Sequence, residues 1–123
     1  MSRYVIVLGS NADLFGDVRR TLLADSRFID AGDTIHCDGA AAPLTNIYAV
    51  DMNPAEWEGW DSTGGMPDPR TMSTLILESR SPAWVAEVGE ILARGLDAPI
   101  WLVDSADTVW PADRIDAERV ALG

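Results

Sequence analysis

The sequence predicts an α/β (α+β) sandwich: a single mixed β-sheet of about five strands with two helices packed on it. Three observations predict it. Short runs of β-branched and apolar residues are spaced along the chain as strands would be. Two intervening stretches repeat their apolar residues at helical period, one bracketed by strand-like runs with short joins. Hydrophobic residues make up 47% and charged residues 24%, the composition of a chain that can close one core rather than stay disordered. The 123 residues fit one domain, 1–123.

The elements follow in order. Tyr4 to Leu8 is a continuous apolar run, as expected of a strand covered on both faces. It is too short for a secretory signal, and no apolar run approaches the ~20 residues of a membrane span. Gly9-Ser10-Asn11 ends this strand and offers N-cap residues to a first helix carrying Leu14, Phe15, Val18, Leu22 and Leu23 at helical spacing. Thr34 to Cys37 and Asn46 to Val50 read as two strands joined by a hairpin loop over Gly39–Pro43.

Thr74 to Glu78 and Ile100 to Asp104 read as strands flanking a second helix. Ser81 is its N-cap and Pro82 its first residue, where the missing N–H costs nothing. Trp84, Val85, Val88, Ile91 and Leu92 form the apolar stripe, and Gly95 is placed for a left-handed Schellman ending against Leu96. Strand, helix and strand with short joins predict a parallel βαβ unit. Thr108 to Trp110 adds an edge strand, and Arg114 to Leu122 is a helical turn or an extended tail. The order β-α-β-β-β-α-β is related to ferredoxin-like arrangements.

Asn53 to Met72 takes no regular assignment. Pro54, Gly59, Gly64, Gly65, Pro67 and Pro69 break it, and a connection this long is more often functional than idle. It carries Trp57 and Trp60 among Glu56, Glu58 and Asp61, with Asp68 near its end. Aromatic anchors beside carboxylates suit a basic, partly apolar protein surface, because the rings fill pockets while the acids pair with Lys or Arg. The competing reading folds both rings back over the sheet.

Charge narrows the partners. Nine basic residues, all arginine, against twenty acidic ones give a net charge of −11, which repels nucleic-acid phosphates and anionic lipid. No nucleic-acid or membrane partner is expected. Cys37 is the only cysteine, so no internal disulfide forms and a cysteine zinc site is excluded; a cytoplasmic setting fits.

Catalytic constellations are sparse. Asp51, Glu78 and Asp104 each close a strand, and Glu78 and Asp104 are expected to share a sheet edge with Gly9, Ser10 and Asn11. Carboxylates there could hold Mg²⁺ beside an anion-receiving helix start, although aspartate at strand ends is also ordinary turn chemistry. Asp51, on a strand expected to be antiparallel, is placed at the opposite edge. Gly9-Ser10-Asn11 lacks the full dinucleotide or P-loop spacing, and a chain without lysine has no Walker lysine. His36 and Cys37 are neighbours on a strand and point to opposite faces, which places the thiol inside and the imidazole at the surface. No G-x-S-x-G elbow supports a hydrolytic triad.

The expectation is a small acidic, non-catalytic binding protein without a cofactor, an inhibitor or immunity-type protein that neutralises a basic toxin or enzyme through Glu56, Trp57, Glu58, Trp60, Asp61 and Asp68. The alternatives are a Mg²⁺-dependent or nucleotide-handling enzyme using Glu78, Asp104, Asp51 and the Gly9-Ser10-Asn11 turn, and an oligomeric accessory protein.

Overall fold

Alternation along each strand decides which way the sheet faces. In β1 (Tyr4–Gly9) Val5 and Val7 turn to one side, where they join the main core, while Ile6 and Leu8 turn to the other. The computed structural model describes residues 3–51 and 66–122. Within them the order continues α1 (Leu14–Leu23), β2 (Ile29–Asp30), β3 (Thr34–Cys37), β4 (Thr45–Ala49), β5 (Ser73–Ser79), α2 (Pro82–Gly95), β6 (Ile100–Val103) and β7 (Val109–Pro111). The seven strands form one sheet, β2-β3-β4-β5-β1-β6-β7, and the fold is α+β.

Two expectations about the sheet are corrected. It has seven strands rather than about five, because Ile29–Asp30 adds a short edge that pairs with Ile35 and His36, and because β7 pairs with β6. The sheet is not mixed either: every pair of neighbours is antiparallel. β5 and β6 do run the same way across the α2 crossover, but β1 lies between them and pairs with both. β4 and β1 are likewise parallel with β5 inserted between them. A crossover read locally gives strand direction but not which strand fills the gap.

Both helices cover the face carrying Val5, Val7, Ile35, Cys37, Ile47, Leu75, Leu77, Ile100 and Leu102. Helix α1 contributes Leu14, Val18 and Leu22. Its N-cap is Asp13, whose side chain accepts from the Gly16 N–H, rather than a residue of the Gly9-Ser10-Asn11 turn. Helix α2 starts as its sequence predicts, with Ser81 Oγ accepting from the Trp84 N–H at 3.2 Å and Pro82 at the first position. It buries Trp84, Val85, Val88 and Leu92. At roughly 1.5–3 kcal/mol per buried side chain, that stripe outweighs the cap, worth about 1 kcal/mol.

The end of α2 differs from expectation. Gly95 is the last helical residue and has no positive φ; the chain leaves through extended Leu96. Glycine eases a close approach here instead, since a Cβ would lie 2.3 Å from the Thr21 Cγ2 side-chain atom on α1. Gly89 is less forgiving at the same distance, because a Cβ there would meet the backbone carbonyl oxygen of Ala112 at 2.3 Å. Around the start of α2, Trp84 stacks on Phe28, carries the Arg27 guanidinium over its ring and donates its indole N–H to Thr45 Oγ1 at 2.8 Å. Arg27 also pairs with Asp25 and Glu87. Its side-chain and backbone hydrogen bonds hold the Asp25 carboxyl down to about 2.

After β7 the chain makes a 3-10 turn over Ala112–Arg114 and returns as a tail rather than a helix. The tail is fastened at Asp104, which is 5% exposed. Asp104 accepts from the amides of Ala106, Thr108 and Ala121 and from the Trp110 indole. No helix among the described residues is long and apolar enough to cross a membrane.

Candidate functional site

Since all neighbours are antiparallel, β1 and β4 finish at one end of the sandwich, where β5 and β6 begin. Local ties close that end. Ser73 Oγ donates to the Asn11 carbonyl at 3.1 Å, and Thr74 Oγ1 to the Val50 carbonyl at 2.7 Å. They join the exit of β1, the exit of β4 and the entry of β5 around a pocket of about 350 Å³. Leu14, Phe15, Val50 and Met72 give it apolar wall, while Asp13, Asp51 and Arg70 bring charge.

The charges are unequally engaged. Asp68 caps the 3-10 turn Pro69–Thr71 and takes the Arg70 guanidinium on both carboxylate oxygens. These side-chain bonds, then the Arg70 amide, hold Asp68 below the ordinary carboxylate value. Arg70 is thereby neutralised by its own neighbour. Asp13 spends one oxygen on the Gly16 N–H, and neither Asp13 nor Asp51 has an ion-pair partner among the described residues. The same end of the sandwich carries Asp33 between β2 and β3, Asp97 between α2 and β6, and Asp113 after β7.

Of the sequence candidates, Glu56, Trp57, Glu58, Trp60 and Asp61 lie outside the described residues, and Asp68 is placed as above. The proposed edge of Glu78 and Asp104 with Gly9, Ser10 and Asn11 is corrected. Glu78 pairs with Tyr4 and Asp104 follows Val103, which lies beside Ile6, so both sit toward the start of β1. From Tyr4 to Gly9 is five strand steps, or about 17 Å. Asp51, expected at the opposite edge, is corrected as well: it lies at the end that carries Gly9, Ser10 and Asn11, because β4 runs parallel to β1 with β5 between them.

Asp104 is occupied as well as misplaced for that chemistry. Burial raises its pKa, but the Trp110 indole and the amides of Ala121, Thr108 and Ala106 outweigh that and keep the carboxyl below its ordinary value. It is the turn carboxylate that the competing reading describes. Among the described residues, no group of three or more His, Cys, Asp or Glu is placed to hold a metal ion.

The opposite end, where β5 finishes and β1 begins, brings together groups that the sequence reading did not associate with one another. On the sheet face without helices, one cross-strand row runs Ile29, His36, Asn46, Glu78, Tyr4. His36 is half-buried, and its Nδ1 faces the Thr45 carbonyl at 3.1 Å and Asn46 Oδ1 at 2.9 Å. A carbonyl oxygen only accepts, so Nδ1 carries the proton and Asn46 presents its amide N–H groups elsewhere. Cys37 turns inward and is fully buried, and that burial raises its thiol pKa. A second cleft of about 460 Å³ opens beside this row, lined by Arg3, Pro43, Leu44, Asn46, Glu78, Ser79, Arg80 and Ser81. The period-2 pattern Thr34-Ile35-His36-Cys37 marks the row's face, but the convergence of residues 3, 46 and 80 depends on strand order.

Comparison with protein families, with curated proteins and with solved structures finds no match to this chain.

Proposed function

We propose that this chain is a non-catalytic binding protein that engages a basic protein partner through the carboxylate-bearing end of its sandwich, as an inhibitor or immunity-type protein does. The observation that carries the reading is the pocket at that end. Its apolar walls fit the aliphatic stem of an arginine or lysine, and Asp13 and Asp51 offer unpaired charge while Arg70 is already engaged by Asp68. The net charge of −11 accelerates encounter with a basic partner, whereas desolvated anchors slow its release. Asp51 also leads in sequence into the segment bearing Glu56, Trp57, Glu58, Trp60 and Asp61, so the two sets of candidates join without a break in the chain.

The skipped-strand crossovers on both sides of β1 support reading the four central strands as a ferredoxin-like arrangement, widened by β2-β3 at one edge and β7 at the other. That architecture hosts many activities and names none.

The test is a pull-down from the native host at low and high salt, followed by titration of the purified partner. A single stoichiometric basic protein released by salt is expected. Asp13→Asn with Asp51→Asn keeps the helix cap, removes two charges and weakens that complex about tenfold or more. A partner whose affinity ignores the double substitution, or no partner at either salt, overturns the reading.

A further inference from the structure

We propose a second, separate site: the cleft at the β5–α2 corner binds a small phosphate monoester that also carries hydroxyl groups, a ligand of nucleoside-monophosphate kind. The cleft, about 460 Å³, falls within the ~300–1,000 Å³ typical of small-molecule sites. Its polar lining is rich in donors, with two arginines, two serines and an asparagine. Arg3 and Arg80 are exposed, and among the described residues neither has a carboxylate partner; Arg94, Arg114 and Arg119 have none either, but Arg3 and Arg80 line the same cleft. Two unpaired guanidiniums beside one cleft of a strongly acidic chain form a local site for a doubly charged oxyanion, the geometry arginine recognises bidentately.

The hydroxyls and the amide agree. Ser79 is 3% exposed; its Oγ accepts from the Ser81 N–H at 3.2 Å and has no acceptor for its own proton among the described residues. Ser81 Oγ accepts from Trp84 N–H and likewise keeps its proton. Asn46, its oxygen fixed by His36, has its N–H groups left to donate. The backbone at the start of α2 is not what recommends the site. Pro82 has no N–H, and the Ser81, Trp84 and Val85 amides are used within the chain.

Glu78 is the carboxylate of this lining and selects the rest of the ligand. A carboxylate beside two guanidiniums disfavours a bare dianion relative to one bearing hydroxyls that donate to it. Pro43 and Leu44, the latter 61% exposed, supply an apolar wall for a flat or carbon-rich moiety. The overall charge opposes anion binding at long range. At ~0.15 M salt, charges beyond about 8 Å are largely screened, so the contacting arginines decide.

Equilibrium titration of the full chain with inorganic phosphate, a ribonucleoside 5′-monophosphate and the same nucleoside without phosphate tests this. The monophosphate is expected to saturate one site, phosphate to compete for it more weakly, and the nucleoside not to bind. Arg3→Gln with Arg80→Gln is expected to weaken the monophosphate about tenfold or more. Both side chains are exposed, and an unchanged melting temperature verifies the fold. Glu78→Gln is expected to weaken the monophosphate while leaving inorganic phosphate unweakened. Nucleoside binding as tight as monophosphate binding, monophosphate affinity unaltered by the arginine substitutions, or no saturation by any of the three probes at millimolar concentration overturns the proposal.

Discussion

Asp104 shows how far one side chain can decide a local structure. Its carboxylate joins the turn at Ala106 and Thr108, the β7 indole of Trp110 and the returning tail at Ala121. Removing it leaves those donors facing a buried gap, and a buried unsatisfied donor costs about 1–3 kcal/mol. Asp104→Ala should therefore destabilise the chain by roughly 2–4 kcal/mol at neutral pH, allowing partial rescue by water. The same carboxyl makes stability pH-dependent. Its folded pKa is below the unfolded one, so its contribution is complete above the unfolded value of about 4 and is lost as pH falls through the folded value. Urea unfolding from pH 7 to pH 2 should show a steeper acid loss in the parent than in Asp104→Ala; equal slopes would assign the acid response elsewhere. Residue identity alone announced part of this. An aspartate after a strand signals a turn, but the reach to Trp110 and Ala121 depends on where the tail returns, which no local pattern encodes. His36 is similar: alternation separates it from Cys37, while its tie to Asn46 needs the β3–β4 register.

Among the elements, α2 was readable at its start and along its face because the signals there are local. Ser81, Pro82 and the stripe from Trp84 to Leu92 each act within a few residues. Its two special glycines were not readable, because what they accommodate comes from elsewhere in the chain. They should answer substitution differently. Alanine at Gly89 meets the backbone oxygen of Ala112, which cannot swing aside, so Gly89→Ala should cost about 1–3 kcal/mol despite alanine's better helix propensity. Alanine at Gly95 meets Thr21 Cγ2, a side chain that can rotate. The propensity gain of about 1 kcal/mol should then offset most of the clash, leaving Gly95→Ala near neutral. Combining it with Thr21→Ala should be more stable than Thr21→Ala alone. Thermal unfolding of the four variants tests the contrast, and equal destabilisation at both glycines would show that the α1–α2 contact is as rigid as the Ala112 backbone.

For the whole molecule, strand directions could be read but strand neighbours could not, because β1 enters between β5 and β6 from the far end of the sequence. That insertion separates Glu78 from Gly9-Ser10-Asn11 and brings Arg3 beside Arg80, so both the failed and the newly found site follow from one topological fact. It also gathers Asp13, Asp33, Asp51, Asp68, Asp97 and Asp113 at one end. Two electrostatic effects of opposite sign then compete. The ion pairs at Arg19–Asp30, Arg20–Asp17, Arg27–Asp25, Arg27–Glu87 and Arg70–Asp68 weaken with salt. Being at or near the surface, each is worth only about 0–1 kcal/mol, and contact pairs are screened less than distant charges. Repulsion within a net charge of −11 acts over longer distances and is screened first, since the Debye length falls from about 30 Å at 0.01 M to about 10 Å at 0.1 M. Repulsion should dominate, and the melting temperature should rise by a few degrees across that range, with about 1 kcal/mol corresponding to several degrees for a domain of this size. Asp33→Asn with Asp97→Asn removes two charges from the crowded end and should reproduce part of the rise at 0.01 M while shrinking the further gain at 0.1 M. A melting temperature that falls with salt would mean that the ion pairs outweigh the repulsion, and that the acidic end is held together by them rather than strained by its own charge.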